Sequence, residues 1–276
     1  MSHFEEAAWA AGFFDAEGST ALIQGRYPMI TVAQVGRDLL DRFRVAVGDV
    51  GSVVGPYPPR AGTYARNPQH VYVCYKESES VAEATWPFLG GQKRARIAAL
   101  FPNRTWPERA LTRRESLAWA AGFFDGDGCF SAASARIATI TQVDREVLER
   151  FQATVGFGTI YGPYENSGAR RETHQPFSFW RTNRFEHTQA LAAMLWFKLG
   201  EAKKQQAIAT LSGSELCKRG HVKRKRSGCP RCVAEAWERK RALGQCRKGH
   251  DKGGLPSCPT CASDGNVREA APVYAA

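Results

Sequence analysis

Trp9-Ala10-Ala11-Gly12-Phe13-Phe14-Asp15 leads into Ala16-Glu17-Gly18, and the same seven residues return at Trp119–Asp125, leading into Gly126-Asp127-Gly128. The copies lie 110 residues apart. A repeat at that distance predicts two similar halves in one chain. Capping boxes sit at the same offset, Ser2-x-x-Glu5 and Thr112-x-x-Glu115. In each, the hydroxyl accepts from an unpaired backbone N–H while the Glu reaches back to the cap. A helix should start there and run about four turns to its acid. Gly18 and Gly128 are placed to stop it.

On the first helix Ala8, Ala11, Gly12 and Asp15 share a stripe, and Ala118, Ala121, Gly122 and Asp125 do so on the second. Spacings of three and four put them on one face. Small side chains there let two helix backbones approach closely. Trp9, Phe13, Trp119 and Phe123 lie on another face and are expected to fill each half's own core. If the helices pack side by side and parallel, their ends meet and Glu17 faces Asp127.

The repeat continues beyond the helices. Ile30–Val35 matches Ala138–Val143, and Arg37–Phe43 matches Arg145–Phe151. Gly55-Pro56-Tyr57 recurs as Gly162-Pro163-Tyr164, and Leu89-Gly90-x-x-Lys93 as Leu199-Gly200-x-x-Lys203. Each half reads as helix, hairpin, helix, hairpin, helix. Strands are predicted near residues 19–24, 30–35, 51–57 and 71–76, and again near 129–135, 137–143, 158–164 and 177–182. That order gives an α+β fold rather than a doubly wound sheet. Residues 1–100 and 112–213 are the expected halves. Residues 101–111, with two prolines and several charges, read as their linker. Residues 214–276 form a separate tail.

Two acids at two helix C-termini repel each other, and the helix ends add partial negative charge. A bound Mg²⁺ resolves this, with oxygen ligands from Glu17, Asp127 and the carbonyls of Ala16 and Gly126. The alternative is that the acids end their helices and bind surface water. Finding the same flanks in both copies favours the metal.

The 276-residue chain carries a formal charge of +11, unevenly spread. Residues 214–276 hold 14 Lys+Arg against 6 Asp+Glu. A compact basic element favours a polyanionic partner. Acidic residues from Glu5 to Glu17 leave no apolar signal-peptide core. The longest apolar run, Ala190–Phe197, is far short of a membrane span. The reading is an intracellular protein without a membrane partner.

After Ser212-Gly213-Ser214 the tail carries two units of equal spacing. The first is Cys217-x3-His221-x7-Cys229-x2-Cys232, and the second is Cys246-x3-His250-x7-Cys258-x2-Cys261. Cys₃His is a tetrahedral zinc set, so two closed, structural Zn²⁺ sites are predicted, with redox thiols as the alternative. A tail this short buries little surface, and zinc would supply its folding energy. A helix is predicted over residues 233–243, with Trp237 inward and Glu238, Arg239, Lys240 and Arg241 exposed. Lys223, Arg224, Lys225 and Arg226 read as a phosphate-contacting run. A protein-docking zinc ribbon is the competing reading.

The segments Ala10–Gly18 and Ala120–Gly128 resemble the paired motifs of the LAGLIDADG homing endonucleases, and the resemblance covers roughly residues 1–212. With both motifs in one chain, it resembles the monomeric, pseudo-symmetric branch. The resemblance implies two parallel motif helices between the halves and two antiparallel sheets forming a saddle over double-stranded DNA. It implies metal binding by Glu17 and Asp127. Gln34, Gln142, Lys93 and Lys203 stand where the family places groups that order the attacking water and stabilise phosphate charge. Either Gln is otherwise ordinary strand polarity, and either Lys a helix cap or a solvated charge. The implied reaction is Mg²⁺-dependent hydrolysis of one phosphodiester on each strand, giving a double-strand break at a long pseudo-palindromic site. Glu17 departs from the commoner Asp, which puts equal activity of the two sites in doubt.

Candidate base readers are Gln24, Arg26, Arg60, Arg66, Ser134, Arg136, Arg170, Arg181 and Arg184, each alternatively a phosphate contact. The resemblance also implies a mobile element's enzyme, bacterial or phage-encoded, either free-standing or acting in intron homing. No flanking splicing residues surround the first motif, which argues against an intein. An RNA-splicing maturase and a non-catalytic DNA-binding regulator share the fold and stand as alternatives.

Overall fold

Both capping boxes form. Ser2 Oγ accepts from the Glu5 amide at 3.3 Å, and the Ser2 amide donates to Glu5 Oε2 at 2.8 Å. Thr112 and Glu115 repeat the pair at the same distances. The helices they start are α1 (His3–Glu17) and α5 (Arg113–Asp127). Gly18 ends α1 in an extended conformation. Glycine is needed there for room, because a Cβ at Gly18 would lie 2.5 Å from Phe14 Cγ.

The computed structural model describes residues 1–58, 67–132, 136–165, 175–213, 215–216, 222–223, 229–242, 244–246 and 250–251. The chain divides into two compact units, Met1–Gly213 and Ser214–Ala276.

In the first unit α1 is followed by β1 (Gly18–Ile23), β2 (Tyr27–Gln34), α2 (Arg37–Ala46), β3 (Ser52–Tyr57), β4 (Gln69–Cys74), α3 (Ser78–Thr85) and α4 (Gly91–Leu100). After α5 the order repeats as β5 (Gly128–Ser131), β6 (Ile137–Gln142), α6 (Arg145–Val155), β7 (Thr159–Tyr164), β8 (Phe177–Arg181), α7 (Phe185–Leu195) and α8 (Glu201–Ser212). Each set builds a four-stranded antiparallel sheet, ordered β1-β2-β4-β3 and β5-β6-β8-β7. The α+β reading holds. Where one closing helix per half was expected, there are two. Pro87, which has no N–H to continue a helix, sits in a 3₁₀ turn, Trp86–Phe88, between α3 and α4. The second half breaks between Leu195 and Glu201.

The cores are near copies. Phe43 meets Tyr72 edge-on at 4.9 Å, and Phe151 meets Trp180 the same way at 4.9 Å. The connector after α4 is fastened to the first half: Trp106 stacks on Trp86 at 4.9 Å, and Arg94 pairs with Glu108 at 3.0 Å.

In the tail, β9 (Glu215–Leu216) pairs with β10 (Val222–Lys223), and α9 spans Pro230–Ala242. This helix begins earlier than expected because Pro230 suits a first helical position. Trp237, expected inward, is 37% exposed; an indole can bury its body and leave an edge wet. Among the described residues no helix is long and apolar enough to cross a membrane.

Candidate active site at the seam of two parallel helices

The small-residue stripe brings α1 and α5 into backbone contact. A Cβ added at Gly12 would lie 2.8 Å from the Trp119 carbonyl carbon and 2.9 Å from the Phe123 amide nitrogen. Gly122 mirrors this against Trp9 and Phe13. Further along, a Cβ at Gly126 would come within 3.1 Å of Glu17 Cγ. Contacts therefore advance together along both chains, so the helices run parallel and their C-terminal ends meet.

The expectation for Trp9 and Trp119 needs correction. They do not only fill their own halves. Trp9 Nε1 donates to Asp125 Oδ2 at 2.9 Å, and Trp119 Nε1 donates to Asp15 Oδ2 at 2.7 Å. Each motif's tryptophan thus satisfies the other motif's first acid. Asp15 also accepts from the Gly90 amide at 2.9 Å, and Asp125 from the Gly200 amide at 2.9 Å. Those amides open α4 and α8, where a carboxylate offsets both unpaired N–H groups and the helix dipole. Arg42 lies 3.8 Å over the Trp9 ring with its guanidinium 4.0 Å from Asp125, and Arg150 lies 3.8 Å over Trp119 and 3.8 Å from Asp15. Burial pushes Asp15 and Asp125 up to about 6, against the indole and the arginine. Sequence reasoning missed this arrangement. Its signal was the matching Arg before Phe43 and before Phe151.

Glu17 and Asp127 occupy the meeting point, both half-buried. Gln34, the last residue of β2, donates to Glu17 Oε1 at 3.0 Å, and Gln142, at the end of β6, donates to Asp127 Oδ2. Burial first, then the facing Asp127, pushes Glu17 up to about 7, while burial pushes Asp127 up to about 6. Lys93 Nζ donates to the carbonyl of Gly18 and Lys203 Nζ to that of Gly128. Each lysine thereby caps a motif helix. Both ammonium charges also favour ionised Glu17 and Asp127, and burial lowers both lysine pKa values. Ala16 and Gly126 sit in the last turns of the helices, beside the acids.

The donor set fits a hard divalent cation. Two carboxylates with raised proton affinity face each other, and Mg²⁺ is commonly held by one or two carboxylates plus water and phosphate oxygens. Among the described residues there is no cluster of three or more His, Cys, Asp or Glu able to hold a metal.

The candidate readers are scattered. Gln24, at φ 52°, and Arg26 stand in the β1–β2 turn, with Arg26 4.7 Å over Tyr27. Arg181 is exposed in β8, 5.7 Å over Tyr161. Arg184 is the cap of α7, and Arg136 packs 5.1 Å over Phe185. Arg60, Arg66, Ser134 and Arg170 lie outside the described residues.

In the tail, Cys229 is buried at the start of α9, and the Cys232 amide donates to its sulfur at 3.4 Å. Cys246 is buried, and its amide donates to the His250 carbonyl at 2.8 Å. Cys217, His221, Cys258 and Cys261 lie outside the described residues, as do Arg224, Lys225 and Arg226. Lys223 stands in β10.

No family model matches this chain, and no curated protein matches it. Solved structures do. The LAGLIDADG meganuclease I-AabMI, bound to uncleaved DNA, is 14% identical over 75% of this chain and 89% of its own, with a TM-score of 0.50. The LAGLIDADG homing endonuclease I-GzeII, in complex with a DNA target, is 15% identical over 88% and 94%, with a TM-score of 0.47. The meganuclease I-SmaMI, bound to uncleavable DNA, is 18% identical over 74% and 90%, with a TM-score of 0.45. The likeness to I-AabMI is one of fold.

Proposed function

We propose that this chain is a site-specific, Mg²⁺-dependent DNA endonuclease of the LAGLIDADG type, acting as a monomer and cutting both strands of a long pseudo-palindromic site. The observation that carries this reading is the meeting of Glu17 and Asp127 at the ends of two parallel helices, each acid held by a strand-end glutamine and flanked by the buried Lys93 and half-buried Lys203. The DNA in the I-AabMI structure supports duplex DNA as the partner for the same fold.

Glu17 and Asp127, with the carbonyls of Ala16 and Gly126, would hold Mg²⁺, which supplies charge stabilisation at the attacking and leaving oxygens. Gln34 and Gln142 orient the carboxylates and the attacking water. Lys93 and Lys203 hold positive charge beside the phosphate, and their lowered proton affinity suits them to proton transfer. Each acid serves one strand. Residues 1–100 and 112–213 act as the two half-domains, joined by 101–111.

The tail, 214–276, holds two structural Zn²⁺ ions, through Cys217, His221, Cys229 and Cys232 and through Cys246, His250, Cys258 and Cys261. An amide donating to the Cys229 sulfur supports this, since such a bond favours a thiolate. The tail adds phosphate contacts to those of the nuclease unit.

The test is cleavage of a randomised duplex library with Mg²⁺, comparing the wild type with Glu17→Gln/Asp127→Asn. Enrichment of one long site cut on both strands, lost in the double variant, supports the proposal. Binding without cutting by either protein rejects it in favour of a regulator, or of a maturase if structured RNA is bound more tightly than duplex DNA.

A further inference from the structure

We propose that the first half reads its arm of the duplex chiefly through thymine methyl groups, and that the second half reads its arm through an arginine–guanine contact. This rests on the endonuclease reading above.

Strand alternation fixes which side chains the first sheet presents. Ile30, Val32, Tyr72 and Cys74 are buried against the helices. Their neighbours on the other face line up in cross-strand rows. Ser19, Thr31, Val73 and Ser52 form one row. Ala33, Val71 and Val54 form the next. These rows contain methyls and hydroxyls but no charge and no amide. Among the described residues of these strands, the amide on this side is Gln69, at the start of β4.

That composition decides what these rows can read. Guanine is recognised by Arg or Lys, adenine by Asn or Gln, and cytosine by Asp or Glu. Hydroxyls discriminate weakly. Apolar groups meet the C5-methyl of thymine, which among the four bases offers the only apolar feature in the major groove. The face is also continuous with the acid site, because β1 begins at Gly18, directly after Glu17. A duplex whose backbone reaches Glu17 therefore lies along these rows.

The second sheet differs. Its corresponding row is Cys129, Thr139, Arg181 and Thr159. Arg181 is exposed. The next row carries Tyr161 and Phe179, stacked at 5.2 Å, with Tyr164 stacked on Phe179 at 5.6 Å. This rigid aromatic floor limits the freedom of Arg181, 5.7 Å over Tyr161, and leaves its fork for a guanine edge. The two arms of the target should therefore differ in composition even though the two halves repeat in sequence.

The experiment uses the full chain and the site selected from the library. Deoxyuridine replaces thymidine in one arm at a time, which removes methyls and keeps base pairing. Arg181→Ala identifies the second half's arm by relaxing one guanine position there. In the other arm, Kd is expected to rise roughly fourfold for each buried methyl removed. The same change in the Arg181 arm should leave Kd within about twofold. A site that is cut but whose first-half arm is G·C-rich, or is indifferent to deoxyuridine, overturns this inference and leaves the endonuclease reading standing. If no duplex is selected at all, the endonuclease reading itself fails.

Discussion

Gly12→Ala sets two physical effects against each other, and the structure decides between them. Alanine is the better helix former by about 1 kcal/mol. Acting alone, that would stabilise α1. The new Cβ, however, would meet backbone atoms of α5, 2.8 Å from the Trp119 carbonyl carbon and 2.9 Å from the Phe123 nitrogen. Real Cβ atoms essentially never come within 3.0 Å of another heavy atom. Backbone cannot rotate aside, so the helices must part by about 1 Å, and overpacking of this kind costs about 1–3 kcal/mol. Parting also stretches the Trp119–Asp15 and Trp9–Asp125 hydrogen bonds, now 2.7 and 2.9 Å. Weakening buried bonds to a carboxylate adds about 1–2 kcal/mol. The expected net loss is about 3 kcal/mol. Urea unfolding, followed by tryptophan fluorescence, measures it directly. Gly122→Ala should lose a similar amount, because its surroundings are the same. A Gly12→Ala protein as stable as the wild type would refute the backbone-contact account of the seam.

Asp15→Asn should cost about 2–3 kcal/mol, since one carboxylate oxygen facing the Gly90 amide is exchanged for an NH₂ or the indole loses its acceptor; thermal unfolding of the variant checks this. Glu17 and Asp127 bind protons more tightly folded than unfolded. The metal-free protein therefore gains stability below their folded values and loses it as pH rises through about 6 and about 7. Because Mg²⁺ competes with those protons, the Tm increase on adding it should be clearly larger near about pH 8 than near about pH 5, and an increase independent of pH counts against the carboxylate pair as its site. In Glu17→Gln/Asp127→Asn that increase should vanish. Elemental analysis should find two zinc ions per chain, and stripping them should expose residues 214–276 to protease while Met1–Gly213 stays resistant; a metal-free chain with a resistant tail would contradict the zinc assignment.

Much of the fold was legible because the chain states it twice. The capping boxes and the terminal glycines bounded α1 and α5 to the residue. The matched segments placed the eight strands of the two four-stranded sheets within a few residues. The closing helices were less legible, because the stretch between α3 and α4 keeps its apolar residues through the Pro87 turn, and periodicity alone does not show the break. At the site, the small-residue stripe set Glu17 opposite Asp127, and the resemblance set Gln34 and Gln142 nearby; that each glutamine donates to one of the acids came from the structure. It did not show that Trp9 and Trp119 cross the seam. An aromatic beside a small-residue stripe reads as core, and only the three-dimensional offset of the helices places its N–H against the partner's acid. Each lysine donates to a helix-end carbonyl while its charge acts on the acids, and a sequence pattern does not show either.

The crossed Trp–Asp bonds have a consequence for how such a chain can change over time. The crossed bonds are written in the same seven residues on both sides; around them the joint is not symmetric, since Gly126 makes room for the Ala16 side chain and Lys198 pairs with Glu5 at 3.1 Å, whereas Glu115 pairs with Arg109. Each half carries one indole to give and one acid to be satisfied, so a second half with the same seven letters meets the crossed bonds, provided glycine on one side faces Ala16 on the other. Halves whose outer sheet faces are unrelated can therefore be exchanged by recombination while these bonds stay intact. For an endonuclease as proposed above, new target sites can then arise by reassortment as well as by point substitution.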